Sequence, residues 1–397
     1  MPKNDGAMTT GQSGAKDLPQ LRRDPSVELL RIFACIAVIG GHVWMGPCDY
    51  GTRFSSVFIR TLVYDSVGMF WFLTGFFLFR NYSWRKTMKR TFTGVFLPLM
   101  AFTLSVLFLF ADLIDGTFTF AGIFQKGDEL IHFVKYLIAW QNPLDYCTHL
   151  WFLYVYILVM IASPVLFAFA HWMEEDPHRE LAFLAITLIA FAWNDYTGNG
   201  NWSFSNYRLE GAVPASVAIL WGHILYRHRD RFVSRKRIPL YTAAFLGVNL
   251  VRTGIHLMRN NGGSTNDNLL FWYTSFGLIC ASLAVMSALS MTTGRAATKG
   301  NRLICFLASH TFNIYLVHGV LINALENINL RVGTYKAIRD LLGSNGMLTG
   351  ILYTLIMVPF VAVLSLALSV VMRWSWRLVR RAAAAIAGGK MDDAGAG

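Results

Sequence analysis

The chain has 397 residues, of which 54% are hydrophobic and only 15% are charged. Soluble globular proteins carry about 25% charged residues, so a soluble multidomain protein is excluded. The formal net charge of +12 does not indicate a nucleic-acid partner, because basic residues are expected at the cytoplasmic ends of membrane helices.

Apolar segments near the length that crosses a bilayer recur along the chain. In chain order they are residues 27–46, 57–79, 92–113, 149–171, 180–194, 212–226, 238–258, 269–291, 303–325 and 347–372. The fifth and sixth are the shortest, and the apolar stretch 129–140 is too short to span, so we assign it to the membrane interface. The predicted fold class is therefore an all-α polytopic membrane protein with about ten transmembrane helices.

The loops between these segments alternate between basic and nearly neutral. The positive-inside rule places the basic loops, such as 80–90 and 227–237, in the cytoplasm together with both termini. The predicted organisation is a disordered cytoplasmic tail over 1–26, a transmembrane domain over 27–372 and a cytoplasmic C-terminal tail over 373–397. We find no internal repeat of the kind that marks many transporters.

The first span carries three ionisable residues, and such residues inside a span are functional candidates. Arg31 lies near its cytoplasmic end, with Glu28 about one turn earlier, and His42 lies about 16 Å further along the axis. Eleven residues are close to three turns, so Arg31 and His42 share one helix face. The alternative is a Glu28–Arg31 pair at the interface and a purely interfacial His42.

Two further histidines are predicted at a depth similar to that of His42. His149 opens the fourth span from the outside, and His318 lies in the outer half of the ninth. Imidazole suits proton transfer at neutral pH, so convergence of the three rings would make a reaction site. The alternative is three separate histidines, each satisfied locally. We expect no metal, because no close His/Asp pairing accompanies them and no CxxC pair exists.

The loop 80–90 holds a basic cluster that includes Lys86, Lys89 and Arg90. It either anchors the membrane domain or docks the phosphates of a cytosolic cofactor. No P-loop or GxGxxG fingerprint is present, so a nucleotide would not bind in those ways.

Four segments, taken in order, resemble the membrane acyltransferase family 3. They are ELLRIFACIAVIGGH at 28–42, MFWFLTGFFLF at 69–79, HLWFLYVYILVMIASPVL at 149–166 and SHTFNIYLVH at 309–318. The chain departs from the family after the second helix, because Gly94 stands where a second arginine is common before Pro98. That departure weakens the cofactor contacts assigned to Lys86, Lys89 and Arg90.

The resemblance implies an O-acyltransferase of the bacterial inner membrane. Its donor would be cytoplasmic acetyl-coenzyme A or another acyl-coenzyme A. Its acceptor would be a sugar hydroxyl of an exopolysaccharide, surface glycan or lipid-linked oligosaccharide, and proteins of polysaccharide assembly would be its partners. The resemblance makes His42 and Arg31 the functional pair, with Arg31 also a cofactor contact. Glu28, His149, Trp151, Tyr315 and His318 are the expected substrate-binding residues.

Two other functions remain open on the sequence. One is a non-enzymatic transporter of a glycan or another polar substrate, with the histidines and Arg252 as binding or coupling groups. The other is a scaffold within a polysaccharide assembly complex. A disulfide between Cys48 and Cys147, both predicted outside the membrane, would bring His42 close to His149.

Overall fold

The computed structural model describes residues 24–44, 53–110, 127–197, 208–259, 268–292, 299–343 and 345–386. These residues form helices and turns, with no strand among them. The helices are α1 Pro25–Val43, α2 Arg53–Tyr64, α3 Ser66–Leu78, α4 Trp84–Thr91, α5 Leu97–Ser105, α6 Gly127–Ile138, α7 Trp151–Ile161, α8 Ser163–Glu174, α9 Pro177–Thr197, α10 Arg208–Arg227, α11 Arg229–Phe232, α12 Ile238–Arg259, α13 Ser275–Thr292, α14 Lys299–Asn327, α15 Leu330–Leu342 and α16 Gly346–Ile386. The prediction of an all-α polytopic membrane protein is confirmed.

Each predicted span falls on one helix or on consecutive helical segments, with shifted ends. Five helical stretches of the described chain are long and apolar enough to cross a membrane: Phe54–Leu78, Trp84–Phe108, Arg235–Arg259, Arg302–Asn327 and Gly346–Ser375. The pair Cys147–Ile161 and Ser163–Glu174, bent by 66°, would make a sixth. The count of ten spans therefore stays a prediction.

Several predicted boundaries move for local reasons. The fifth and sixth segments are full helices of 21 and 20 residues, α9 and α10. The last helix runs on to Ile386, through residues that the sequence assigned to a tail. In the eighth predicted span, 269–291, the helix α13 starts only at Ser275. The Thr274 hydroxyl accepts a hydrogen bond from the Gly277 amide at 2.9 Å and so caps this helix. The predicted interfacial segment forms α6.

Two predicted spans are broken. The span 54–78 is divided at Asp65 into α2 and α3. The bend between α7 and α8 precedes Pro164, which has no amide hydrogen to continue the helix. The break at Asp65 lies between two helices that both contact α1.

Helix α1 lies against α3, α13, α14 and α16, so its residues face the interior on several sides. Helices α3 and α10 cross with their backbones in close contact. A Cβ at Gly75 would lie 1.9 Å from the Ile219 carbonyl oxygen, and one at Gly222 would lie 2.3 Å from that of Phe72. Small residues are what allow two membrane helices to bring their backbones into contact.

The end of the bundle that carries Arg80 and Arg227 is called the basic end here, and the other the far end. At the basic end, the buried carboxylate of Glu180 accepts hydrogen bonds from Arg227 at 2.5 Å and from His228 Nε2 at 2.6 Å. These contacts tie α9 to the end of α10. At the far end α15 packs over the end of α1.

Candidate active site

His42 lies in the last turn of α1, where the helix ends at Val43. The freed Val43 carbonyl accepts hydrogen bonds from Arg331 Nη2 at 3.2 Å and from the Tyr353 hydroxyl at 3.3 Å. These contacts satisfy a helix-terminal acceptor and fix the end of α1. The ring of His42 is half-buried, in contrast to the two histidines beside it.

His149 lies on the short 3-10 turn Asp145–Leu150, which leads into α7. Its backbone carbonyl accepts a hydrogen bond from the Tyr315 hydroxyl, and its Nε2 lies 3.4 Å from the Leu316 carbonyl. The ring lies against Gly319, where a Cβ would be 2.3 Å from Nδ1. A glycine at position 319 is therefore a condition for this ring position.

His318 lies one residue before Gly319 on α14 and is fully buried. Its Nδ1 lies 2.7 Å from the Tyr315 carbonyl and 3.2 Å from the Ile314 carbonyl. Carbonyl oxygens only accept, so in the neutral ring Nδ1 carries the hydrogen and Nε2 carries the lone pair. That Nε2 is buried and has no hydrogen-bond partner among the described residues.

The three rings meet. The ring centroids lie 5.7 Å apart for His42 and His149, 5.3 Å for His42 and His318, and 4.4 Å for His149 and His318. Tyr315 borders the group, with its ring 5.4 Å from His149 and 5.5 Å from His318. Of the three residues, His42 is partly exposed, whereas His149 and His318 are buried.

Trp151 begins α7 two residues after His149 and is half-buried. Its indole stacks on that of Trp272, with centroids 6.3 Å apart and planes 9° from parallel. Of the seven predicted catalytic and substrate residues, His42, His149, His318, Tyr315 and Trp151 therefore lie in one region.

Arg31 and Glu28 lie elsewhere, at the basic end of α1. Arg31 Nη1 is 2.8 Å from Glu28 Oε2, and the Glu28 side chain is buried while Arg31 is about one-third exposed. The helix is continuous from Arg31 to His42, so the two remain about 16 Å apart along its axis. One reacting atom cannot contact both. Arg31 also acts electrostatically on the Tyr156 hydroxyl of α7.

The predicted cofactor contacts Lys86, Lys89 and Arg90 lie on α4, where all three are exposed. A separate basic cavity of about 270 Å³ lies at the same end of the bundle. Arg80 and Arg229 line it, and both guanidinium groups lie over the Tyr226 ring, 5.1 Å and 4.3 Å from its centroid. The basic end thus offers two groups of cations.

Sequence reasoning missed Arg331, at the start of α15. Its side chain is buried, its Nη1 lies 3.1 Å from Glu326 Oε2, and its charge acts on His42. Its Nε has no hydrogen-bond partner in the described chain. The signal was available: a basic residue in the sparsely charged set of outer loops, five residues after a glutamate.

Asp65 was also missed, although a carboxylate inside a predicted span is a functional candidate by default. It forms a buried ion pair with Arg252, with Nη1 2.8 Å from Oδ2 and 3.1 Å from Oδ1. The other donors of Arg252 bond the carbonyls of Leu269 and Phe271. Asp65 therefore does not cap α3 but holds Arg252.

A second cavity, of about 350 Å³, lies on the opposite face of α1. Phe33, Ala37 and Gly40 line it, and at about 100° per residue these positions point away from the face of Arg31 and His42. It is mainly apolar and is separate from the histidine cluster.

No group of three or more His, Cys, Asp or Glu residues within the described ranges is arranged to hold a metal ion. Cys147 is buried, and Cys48 lies outside the described residues, so the disulfide between them stays a prediction. The rings of His42 and His149 are in contact in the structure.

A family model described as an acyltransferase domain, acyltransferase family 3, matches residues 24–374. The chain therefore belongs to this family and is a multi-pass membrane acyltransferase. No curated protein and no solved structure matches the chain. The matched range includes α1, the three histidines and Arg331.

Proposed function

We propose that the protein transfers an acyl group, acetyl in the first instance, from cytoplasmic acyl-coenzyme A to a sugar hydroxyl of a bacterial surface glycan or its lipid-linked precursor. The observation that carries the proposal is the convergence of His42, His149 and His318 on one half-buried ring, that of His42. Acyl transfer to a hydroxyl needs a group that removes the hydroxyl proton, and imidazole is the side chain suited to this at neutral pH.

The chemistry balances on one imidazole. The His42 lone pair takes the proton from the acceptor hydroxyl. At the same time the hydroxyl oxygen attacks the thioester carbonyl carbon, and the new C–O bond forms. The C–S bond then breaks, and the imidazolium returns the proton to the departing sulfur. The products are the ester and the coenzyme A thiol, with no net proton consumed.

The donor would enter from the basic end. Coenzyme A is an anion with several phosphates, and the cations of α4 and of the cavity lined by Arg80 and Arg229 lie at that end. Its long, thin pantetheine arm would extend along α1 from Arg31 towards His42. Arg31 Nη1 donates a hydrogen bond to Glu28. The remaining N–H groups of its guanidinium would bind acyl-coenzyme A.

The buried histidines would position His42 rather than replace it. His318 has its Nδ1 hydrogen directed at two carbonyls, so its Nε2 can only accept a hydrogen bond in the neutral ring. Its ring lies 5.3 Å from that of His42 between centroids and limits the positions that the His42 ring can take. His149 fills the third side and is held by Tyr315 and Gly319.

The transporter alternative relied on Arg252 as a coupling group. Its guanidinium is fully buried and bonds Asp65 and two backbone carbonyls. All three guanidinium nitrogens are engaged within the protein and the side chain is fully buried, which is the pattern of a structural arginine. We therefore give this residue a structural role.

The test uses purified protein in lipid nanodiscs with acetyl- or succinyl-coenzyme A and de-O-acylated oligosaccharides prepared from the producing cell's own surface glycan. Thiol release and ester formation on the sugar are expected together in the wild-type protein and absent in His42→Ala. His178→Ala is the matched control, because this histidine is exposed at the basic end of α9. Thiol release without ester formation on the sugar would contradict the proposal that the acceptor is a sugar hydroxyl.

A second measurement defines the role of His42. Protein is incubated with labelled acetyl-coenzyme A without acceptor, and label on the protein is measured after rapid quenching. Direct transfer predicts no labelled protein. If the wild-type protein becomes labelled and the His42→Ala variant does not, His42 is an acyl-carrying nucleophile instead.

A further inference from the structure

The last turn of α1, which carries His42, is held by side chains of α15 and α16. Arg331 Nη2 and the Tyr353 hydroxyl both donate to the carbonyl of Val43, at 3.2 Å and 3.3 Å. Val43 directly follows His42. The carbonyls in the last turn of a helix have no partner within the helix, so the backbone beside His42 depends on these two donors.

The next residue, Trp44, is fixed by the same two helices. Its indole Nε1 donates to the Thr354 hydroxyl of α16 at 2.7 Å. The rings of Trp44, Tyr335 and Tyr353 are buried and meet edge to face, with centroids 5.5–6.3 Å apart. Tyr335 lies about one turn after Arg331, so one face of α15 carries both contacts to the end of α1.

Arg331 also contacts the helix that carries His318. Its Nη1 lies 3.1 Å from Oε2 of Glu326, which belongs to the last turn of α14. Glu326 follows His318 by eight residues, about 12 Å along the same helix. One guanidinium therefore joins the end of α1 to the end of α14, and these are the two helices whose histidine rings, His42 and His318, lie 5.3 Å apart.

The turn between α14 and α15 brings Arg331 back over these helix ends. Asn329 has the left-handed conformation, with φ 58°, which asparagine adopts more readily than most residues. Its amide donates to the Glu326 carbonyl at 2.8 Å. Only residues 328 and 329 separate the two helices, so this short turn fixes the start of α15 and with it the position of Arg331.

The burial of Arg331 argues against a role in recognising an acidic glycan. Its side chain is 7% exposed, and both terminal nitrogens contact groups of the protein. Its charge nevertheless acts on His42, so the guanidinium is near enough for its removal to affect that ring. A buried cation with these partners fixes the backbone around a reacting group.

We propose that Arg331 is a positioning residue for acyl transfer: by joining the end of α1 to the end of α14, it sets the place of the His42 ring relative to His318. It acts through His42 and does not contact the substrates. This inference rests on the proposed function for the reaction that it serves, whereas the contact between the two rings can be measured without any substrate.

Kinetics separate positioning from substrate binding. Ester formation is measured in nanodiscs with acetyl-coenzyme A and the de-O-acylated oligosaccharide. Arg331→Met is expected to lower kcat about 10²-fold, the scale of a 1 Å misplacement, with both KM values within about twofold of wild type. Arg331→Lys lacks the planar two-point geometry and should recover only part of the rate. Arg339→Met is the matched control, because this arginine in the last turn of α15 is 41% exposed and pairs with Asp340. A raised KM with unchanged kcat in Arg331→Met would make Arg331 a substrate-binding group and overturn the proposal.

Two further variants test the bridge itself. Tyr353→Phe keeps the ring and removes one donor to the Val43 carbonyl, so a smaller fall in kcat at unchanged KM is expected, even if Arg331→Met is too unstable to purify. Glu326→Ala breaks the contact with α14, so adding Arg331→Met in that background should lower kcat less than it does in the wild type. An equal loss in both backgrounds would overturn the bridge.

The ring contact is measured by solid-state NMR on histidine-labelled protein without substrate. A correlation between the His42 and His318 rings, assigned by its loss in His42→Ala and in His318→Ala, is expected in the wild type and in Arg339→Met and should weaken in Arg331→Met. Weakening in a protein that transfers no acyl group supports the positioning role and contradicts the proposed function. An unchanged correlation in Arg331→Met overturns the positioning role, and transfer by the wild type then leaves the proposed function intact.

Discussion

Replacement of Gly319 by alanine tests whether the position of the His149 ring matters for catalysis. The added Cβ would lie 2.1 Å from Cε1 and 2.3 Å from Nδ1 of that ring. Carbon atoms pack at about 3.5–4.0 Å, so the overlap exceeds about 1 Å. The ring is buried beside His318, and its backbone is held by the Tyr315 hydroxyl, so relief requires the ring or α14 to shift.

Two effects of different size follow from this overlap. Overpacking of a tight interior costs about 1–3 kcal/mol of stability. Misplacement of an active-site group by about 1 Å lowers rate about 10²-fold. We therefore expect Gly319→Ala to fold with moderately lowered thermal stability and to lose about two orders of magnitude in the rate of ester formation. Gly247→Ala is the matched control, because a Cβ there meets nothing within 4 Å, and alanine stabilises a helix interior by about 0.5–1 kcal/mol relative to glycine.

A double-mutant cycle identifies the cause. In a His149→Ala background the ring that the methyl group would strike is gone, so adding Gly319→Ala should have little further effect on stability. Wild-type rate and stability in Gly319→Ala alone would refute the described ring position. Additive losses in the double variant would show that the alanine disturbs α14 by another route.

Three further predictions concern the ends of α1 and the buried ion pair of Arg252 with Asp65. His42→Ala should lower the rate of acyl transfer about 10²–10⁴-fold, measured as the ester content of the purified glycan product, and should leave thermal stability nearly unchanged. An ester content near that of the wild type would show that His42 takes no part in the reaction. Arg31→Lys should raise the KM for acetyl-coenzyme A because lysine lacks the planar, two-point donor geometry; equal KM values would reduce Arg31 to a partner of Glu28. Asp65→Asn leaves the Arg252 charge uncompensated and should lower the free energy of unfolding by about 3–5 kcal/mol. Much of that stability should be regained when Asp65→Leu is combined with Arg252→Met. If it is not regained, the loss has a cause other than the unpaired charge.

The helices of this protein could be predicted because the signals are local. Apolar length indicates a span, and the 3.6-residue period places Arg31 and His42 on one face of α1 without any tertiary information. The ends of the helices differ from the ends of the predicted spans where a second local signal acts. The run of alanines at 382–385 favours helix, so α16 continues to Ile386, and Thr274 caps α13 later than the apolar pattern suggests.

The convergence of the histidines could not be predicted in the same way. The sequence predicts how deep in the membrane His149 and His318 lie. It does not predict which neighbouring helix each side chain faces. That direction depends on contacts between distant elements, such as Tyr315 with the His149 carbonyl and Gly319 with the His149 ring. Asp65 and Arg252 are 187 residues apart, so their pairing also required the packed structure, although each was detectable alone as a charge inside a span.

Helix α1 brings the two ends of the proposed reaction into one element. Arg31 lies at the basic end, where an anionic donor would arrive, and His42 lies at the other end of the helix. In the proposed reaction the proton removed from the hydroxyl is needed by the sulfur that leaves, so a single imidazole between the two substrates would complete the proton transfer without an external acid. A donor carbonyl held at Arg31 would be about 16 Å too far from that imidazole. The reaction therefore requires the thioester to travel along α1, and Arg31 can serve the donor only through the groups that remain behind.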